Sequence, residues 1–159
     1  MYNLLITFFL LAIVASFLCS LLEAVLLSIT PSYARIQMQE GSSIGLHLQE
    51  FKENIDRPLA AILTLNTIAH TVGAIGVGSQ ATAIWAETHP IITTAVVPVL
   101  MTLGILILSE IIPKTLGAHY WRQLAPLTAY ALRGLVWLLY PFVLLSRYLT
   151  SGLSHGPLL

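Results

Sequence analysis

The chain has 159 residues, 57% hydrophobic and only 9% charged, with seven Lys and Arg balanced by seven Asp and Glu. Soluble domains carry about 25% charged residues, so this composition excludes an ordinary soluble fold and reads as a membrane protein. Zero net charge argues against a nucleic-acid partner, which calls for a surplus of basic residues to meet its many phosphates; the single cysteine, Cys19, excludes a disulfide framework and a cysteine-based zinc site.

The first apolar run covers residues 4–29 and is interrupted only by Glu23. No basic stretch precedes it, and it exceeds the roughly 7–15 residues of a signal-peptide core, so it reads as a retained transmembrane helix. Ser16 and Ser20 lie four apart and Glu23 three further on, which puts all three close to one helix face. Two readings stand for the serines: close helix packing with back-bonding to the preceding turn, or oxygen donors inside the span. Glu23 either snorkels or pairs with a lysine at the membrane surface, or serves a buried site.

The polar stretch that follows, with spaced apolar positions, predicts short amphipathic helices over residues 31–56. A second span is expected over 59–85, free of formal charge and carrying one histidine, His70. Asn66 and His70 share a face at four-residue spacing. Asn66 reads as interhelical hydrogen-bonding glue or as a carbonyl ligand, and His70 as a packing residue rather than a metal ligand. Gly73, Gly76 and Gly78 make the rest of the helix a close-packing surface for another helix or a second protomer.

After the tight loop "AETH", a third span is expected over 90–112. It ends on "LILSEIIPKTLGAHYW", where Glu110 precedes Pro113 by three residues and Lys114 by four. A charged side chain at the bilayer centre costs about 3 kcal/mol or more unless compensated. Pro113 removes a backbone donor and frees a carbonyl near Ser109, and such irregularity is tolerated in a membrane only where it is buried in protein or lines a cavity. A helix broken at Pro113 is therefore expected, with Lys114 as an anchor at the cytoplasmic end.

Beyond it, residues 118–150 are expected to form interfacial helices. The apolar segment 126–149 is too short between Arg133 and Arg147, and broken by Pro141, so a bent helix lying in the interface is favoured over a fourth crossing. Residues 151–159 read as a truncated linker or tail. The seven basic residues flank the spans on one side only, which places the N-terminus outside and the C-terminus in the cytoplasm of a cell inner (plasma) membrane. The expected fold class is an all-α membrane protein with three transmembrane helices per protomer and juxtamembrane amphipathic helices on the cytoplasmic side.

Serine hydroxyls, an asparagine carbonyl, a carboxylate and freed backbone carbonyls are hard oxygen donors. They suit Mg²⁺, Ca²⁺ or Na⁺, and suit zinc or copper poorly. No Ser-His-Asp order, HExxH, phosphate loop or dinucleotide fingerprint is present, so an enzyme is not expected.

Three stretches carry a family resemblance: "ASFLCSLLEAVLLS", "DRPLAAILTLNTIAHTVGA" and "SEIIPKTLGAHY". In this order and spacing the chain resembles the transmembrane domain of the CorC/CNNM family of magnesium transporters, over about residues 4–150. The resemblance implies a homodimer formed through transmembrane helices in the lipid bilayer, each protomer holding a largely dehydrated Mg²⁺ in an inward-facing cavity for export driven by Na⁺. By motif, the metal ligands would be Ser16, Ser20, Asn66 and Glu110, with carbonyls near Pro113 completing the shell and Glu23 and Lys114 in support. ATP would act only through the family's cytoplasmic CBS domains, which lie outside this sequence. The competing expectation is a membrane-anchoring and dimerising module for such domains, with the polar residues serving packing.

Overall fold

Backbone in hydrocarbon has no water to bond, so each long apolar run has to satisfy its own N–H and C=O groups as helix. The computed structural model describes residues 3–41 and 43–153, all helix apart from short turns. In chain order the helices are α1 (Asn3–Ser28), α2 (Pro31–Gln39), α3 (Ser43–Glu53), α4 (Asp56–Trp85), α5 (Ile92–His119), α6 (Trp121–Leu138) and α7 (Tyr140–Leu153). The protein is thus an all-α membrane protein in which α1, α4 and α5 are each long and apolar enough to span a bilayer. The expected tail falls partly on α7; residues 154–159 lie outside the described residues.

α1 is the central post, packing along α4, the C-terminal half of α5, and α6. Its contact with α4 depends on missing side chains. A Cβ on Gly73 would collide with the Cβ of Ala12, and one on Gly76 with the ring of Phe8, while Gly78 faces open space. The first two glycines of the small-residue stripe thus serve packing within the chain. At the other end, Gly117 of α5 lets α1 approach closely, since a Cβ there would sit 2.7 Å from the Ala24 Cβ and 2.8 Å from the Leu21 carbonyl.

Short amphipathic helices close the end of the bundle where α1 stops and α4 starts. Thr30 caps α2 through a hydrogen bond from the Tyr33 N–H at 3.1 Å, and Pro31 takes the first helical position, where a missing N–H costs nothing. Gly41, at φ +78, makes the left-handed turn into α3. Lys52 on α3 donates to the Leu26 carbonyl at 3.2 Å, covering an orphan acceptor at the end of α1. Burial there holds its ammonium below the ordinary lysine range. Beneath these helices, Leu26, Ile62, Leu132 and Val143 form one fully buried cluster, and Val25, Ile29, Ala34 and Leu48 a second.

α6 and α7 meet at an angle of 81°. Pro141, at the second position of α7, has no N–H for the Trp137 carbonyl, and its ring crowds that carbonyl, so a straight continuation is disfavoured. The two helices expose Trp137, Leu138, Phe142, Leu145 and Tyr148 on their outer surface.

α5 corrects one expectation. The helix does not break at Pro113 but runs on to His119. It accommodates the proline by widening to a π turn over Ile107–Ile111, with the Ile112 N–H reaching back five residues to the Ile107 carbonyl. A matching π turn, Ile92–Val96, precedes Pro98. In both places the extra residue relieves the clash between the proline ring and the turn before it.

Candidate cation site

The polar residues of three spans meet midway along the central post. Ser16 and Ser20 share one face of α1 and are both completely buried. Ser16 Oγ donates to Asn66 Oδ1 of α4 at 2.8 Å, and His70 Nε2 of the same helix lies 2.6 Å from that hydroxyl. A serine has one proton to give; with Asn66 accepting it, His70 Nε2–H is the donor to Ser16 Oγ. From the third span, Glu110 of α5 places Oε1 3.8 Å from His70 Nε2. That separation is too long for a hydrogen bond and leaves an electrostatic contact.

The carboxylate's second oxygen is bound locally. Lys114, one turn along α5, sets Nζ 2.5 Å from Glu110 Oε2. This ion pair is what compensates the carboxylate, and it gives Lys114 a role beyond an anchor at the helix end. The π turn positions the pair: Ile107–Ile111 contains Glu110 and packs against α1. Ser109, fully buried beside it, bonds back to the Ile105 carbonyl at 2.6 Å, while Pro113 supplies no N–H to the Ser109 carbonyl.

One atom stands out among these donors. Ser20 Oγ is buried with no hydrogen-bond partner among the described residues. A hydroxyl left so costs about 1–3 kcal/mol in an apolar interior, and a helical serine could have avoided it by bonding to the carbonyl four residues back. Ser16 Oγ and Asn66 Oδ1, although bonded to each other, each keep a lone pair, and Ser20 Oγ keeps both. Among the described residues no three His, Cys, Asp or Glu side chains converge. The chemistry on offer is therefore that of neutral oxygens with one carboxylate, which matches a hard cation rather than a thiophilic one.

Of the residues singled out by sequence, Ser16 and Asn66 are in direct contact, Ser20 lies one turn along the same face, and Glu110 joins them through His70. Glu23 is half-buried on α1, within electrostatic reach of Lys114. His70 is the residue that sequence reasoning undervalues. Its spacing from Asn66 is the signal, but only the structure reveals that it links α1 to the α5 carboxylate.

Residues 5–156 match the family model described as the cyclin M transmembrane N-terminal domain. The chain is also 32% identical over 144 residues to a UPF0053 protein of Synechocystis, an alignment that covers 91% of this chain and 40% of that relative. The chain thus spans well under half the length of the curated relative it matches.

Proposed function

The chain belongs to the cyclin M transmembrane-domain family, and from that membership we propose that it moves Mg²⁺ across a membrane as a secondary-active exporter coupled to Na⁺. The family is associated with transport rather than catalysis. The observation that most supports the reading is the chain of contacts from Ser16 through Asn66 and His70 to Glu110, which joins three spans one helical turn from a buried hydroxyl, Ser20 Oγ, that has no partner among the described residues.

In this proposal Ser16, Ser20, Asn66 and Glu110 bind the transported ion. Mg²⁺ takes six oxygens at about 2.0–2.1 Å, so two positions fall to water or to carbonyls beside the π turn. Glu110 exchanges the Lys114 ammonium for the incoming ion, which keeps its charge compensated in both states. One carboxylate leaves the loaded site near +1. That holds affinity at a level from which release is possible and leaves a role for Na⁺ in the return step. The small octahedral shell discriminates against the larger Ca²⁺. The chain works as a homodimer in the plasma membrane, with its N-terminus outside and its C-terminus in the cytoplasm, and ATP acts only through CBS domains outside this sequence.

The test is Mg²⁺ efflux from proteoliposomes that contain the purified chain and a trapped Mg²⁺ indicator. The proposal expects efflux driven by an inward Na⁺ gradient and abolished by Glu110→Gln at equal incorporation. A folded chain with neither flux nor saturable Mg²⁺ binding would leave the anchoring and dimerising module as the better account.

A further inference from the structure

A cavity lies away from the candidate cation site, at the end of the bundle where α4 begins. It has a volume of about 320 Å³ and is walled by α3, the first turn of α4, α6 and the start of α7. Its chemistry divides into two halves. Phe51 and Val136, both buried, form an apolar floor. Arg57 and Arg133 form a cationic wall, and Trp137 and Tyr140 stand exposed at the rim.

The charges in that wall are incompletely matched. Arg57 faces Glu50 at 3.7 Å, a loose pair whose carboxylate is 55% exposed, which is worth little in water. Arg133 Nη1 lies 3.1 Å from His47 Nε2. The guanidinium has only donors, so His47 accepts as the neutral imidazole and offsets none of the charge. Among the described residues, no carboxylate forms an ion pair with Arg133. With His47 neutral, the lining groups Arg57, Arg133 and Glu50 sum to one positive charge above an apolar floor, and two amphipathic aromatics mark the depth at which such rings sit in a bilayer.

We propose that this cavity binds the phosphate of an anionic phospholipid headgroup, with Arg57 and Arg133 on the phosphate oxygens and an acyl chain over Phe51, Val136 and Trp137. A guanidinium fork fits phosphate oxygens in a bidentate manner, which an ammonium cannot do. The apolar floor distinguishes this ligand from free phosphate, which would leave that surface uncovered. A bound lipid would tie α3 to the bend between α6 and α7, on the helices that flank the start of the α4 span.

Native mass spectrometry of the purified chain, titrated with phosphatidylglycerol or phosphatidylcholine in detergent, tests the proposal. The expected result is retention of phosphatidylglycerol over phosphatidylcholine, with about fivefold of the preference lost for each arginine removed in Arg133→Gln and Arg57→Gln. Glu50→Gln, which removes the competing carboxylate, should raise retention; a purely structural role for the arginines gives no such gain. Arg133 is exposed, so its variant should fold normally, and circular dichroism and thermal melting check this. Equal retention of the two lipids, or a preference that survives Arg133→Gln in folded protein, overturns the proposal. So does displacement of bound phosphatidylglycerol by millimolar inorganic phosphate, which would make the cavity a free-phosphate site.

Discussion

Lys114→Met should tighten Mg²⁺ binding. In the structure the Lys114 ammonium sits 2.5 Å from Glu110 Oε2, so any cation using that oxygen has to displace it. The lysine and glutamate side chains are 44% and 23% exposed, and screening at that exposure holds such a pair to about 1 kcal/mol. Once displaced, an ammonium about 7 Å from a divalent ion adds about 1 kcal/mol of repulsion even at a water-like dielectric. Removing both terms tightens the apparent Kd by between about fivefold and thirtyfold. Calorimetric Mg²⁺ titration of the folded variant beside wild type reads this directly. Lys114→Arg, which keeps the charge, should stay near wild type. A folded Lys114→Met protein that binds Mg²⁺ with unchanged or weaker affinity would refute the exchange, and would make the lysine a support that holds Glu110 in a binding geometry.

Ser20→Ala should divide stability from binding. Deleting a buried hydroxyl that has no partner leaves the cation-free protein as stable as wild type or up to about 1 kcal/mol more stable, while the Mg²⁺-dependent rise in melting temperature shrinks. A loss of stability without Mg²⁺ would mean the hydroxyl is bonded. Gly73→Val should cost about 1–3 kcal/mol in a denaturant titration, because its Cβ meets Ala12, whereas Gly78→Ala, facing open space, should be neutral or stabilising; equal effects would put the α1–α4 contact elsewhere. Pro113→Ala restores an N–H and removes the ring clash, so the turn at Ile107–Ile111 can tighten to α and Glu110 rotates away from His70. Mg²⁺ binding should fall by about tenfold or more, as expected when a charged ligand is misplaced, with the helix content by circular dichroism kept. Retained affinity would show that the π turn does not position Glu110.

Much of this arrangement is legible in the sequence because polar atoms inside apolar runs are conspicuous. Ser16, Ser20, Asn66 and Glu110 interrupt stretches that are otherwise hydrocarbon, and helical spacing alone sorts them onto faces. What the spacing leaves open is the rotation of one helix against another. α1, α4 and α5 are apolar nearly all round, so no polar face orients them, and the linking role of His70 depends on that rotation. Pro113 is legible as a lost hydrogen bond but not as a π turn. The missing N–H says that regular helix cannot continue unchanged, and whether the chain breaks or widens depends on packing against α1. The destination of the glycines is similarly tertiary, since Gly73 and Gly76 press on Ala12 and Phe8 of the same chain, a choice that the small-residue stripe leaves open. The basic cavity at the bundle end assembles from segments far apart in the chain, with His47 and Arg133 separated by 86 residues, a distance that local pattern does not bridge.

The central claim is that the oxygens of three spans bind Mg²⁺, and a structure of the Mg²⁺-saturated protein tests it most directly. The account predicts an ion about 2.0–2.1 Å from Ser16 Oγ, Ser20 Oγ, Asn66 Oδ1 and a Glu110 oxygen, with the Lys114 ammonium withdrawn from the carboxylate. Mg²⁺ bound elsewhere, or a Lys114–Glu110 pair still closed at saturation, would contradict it.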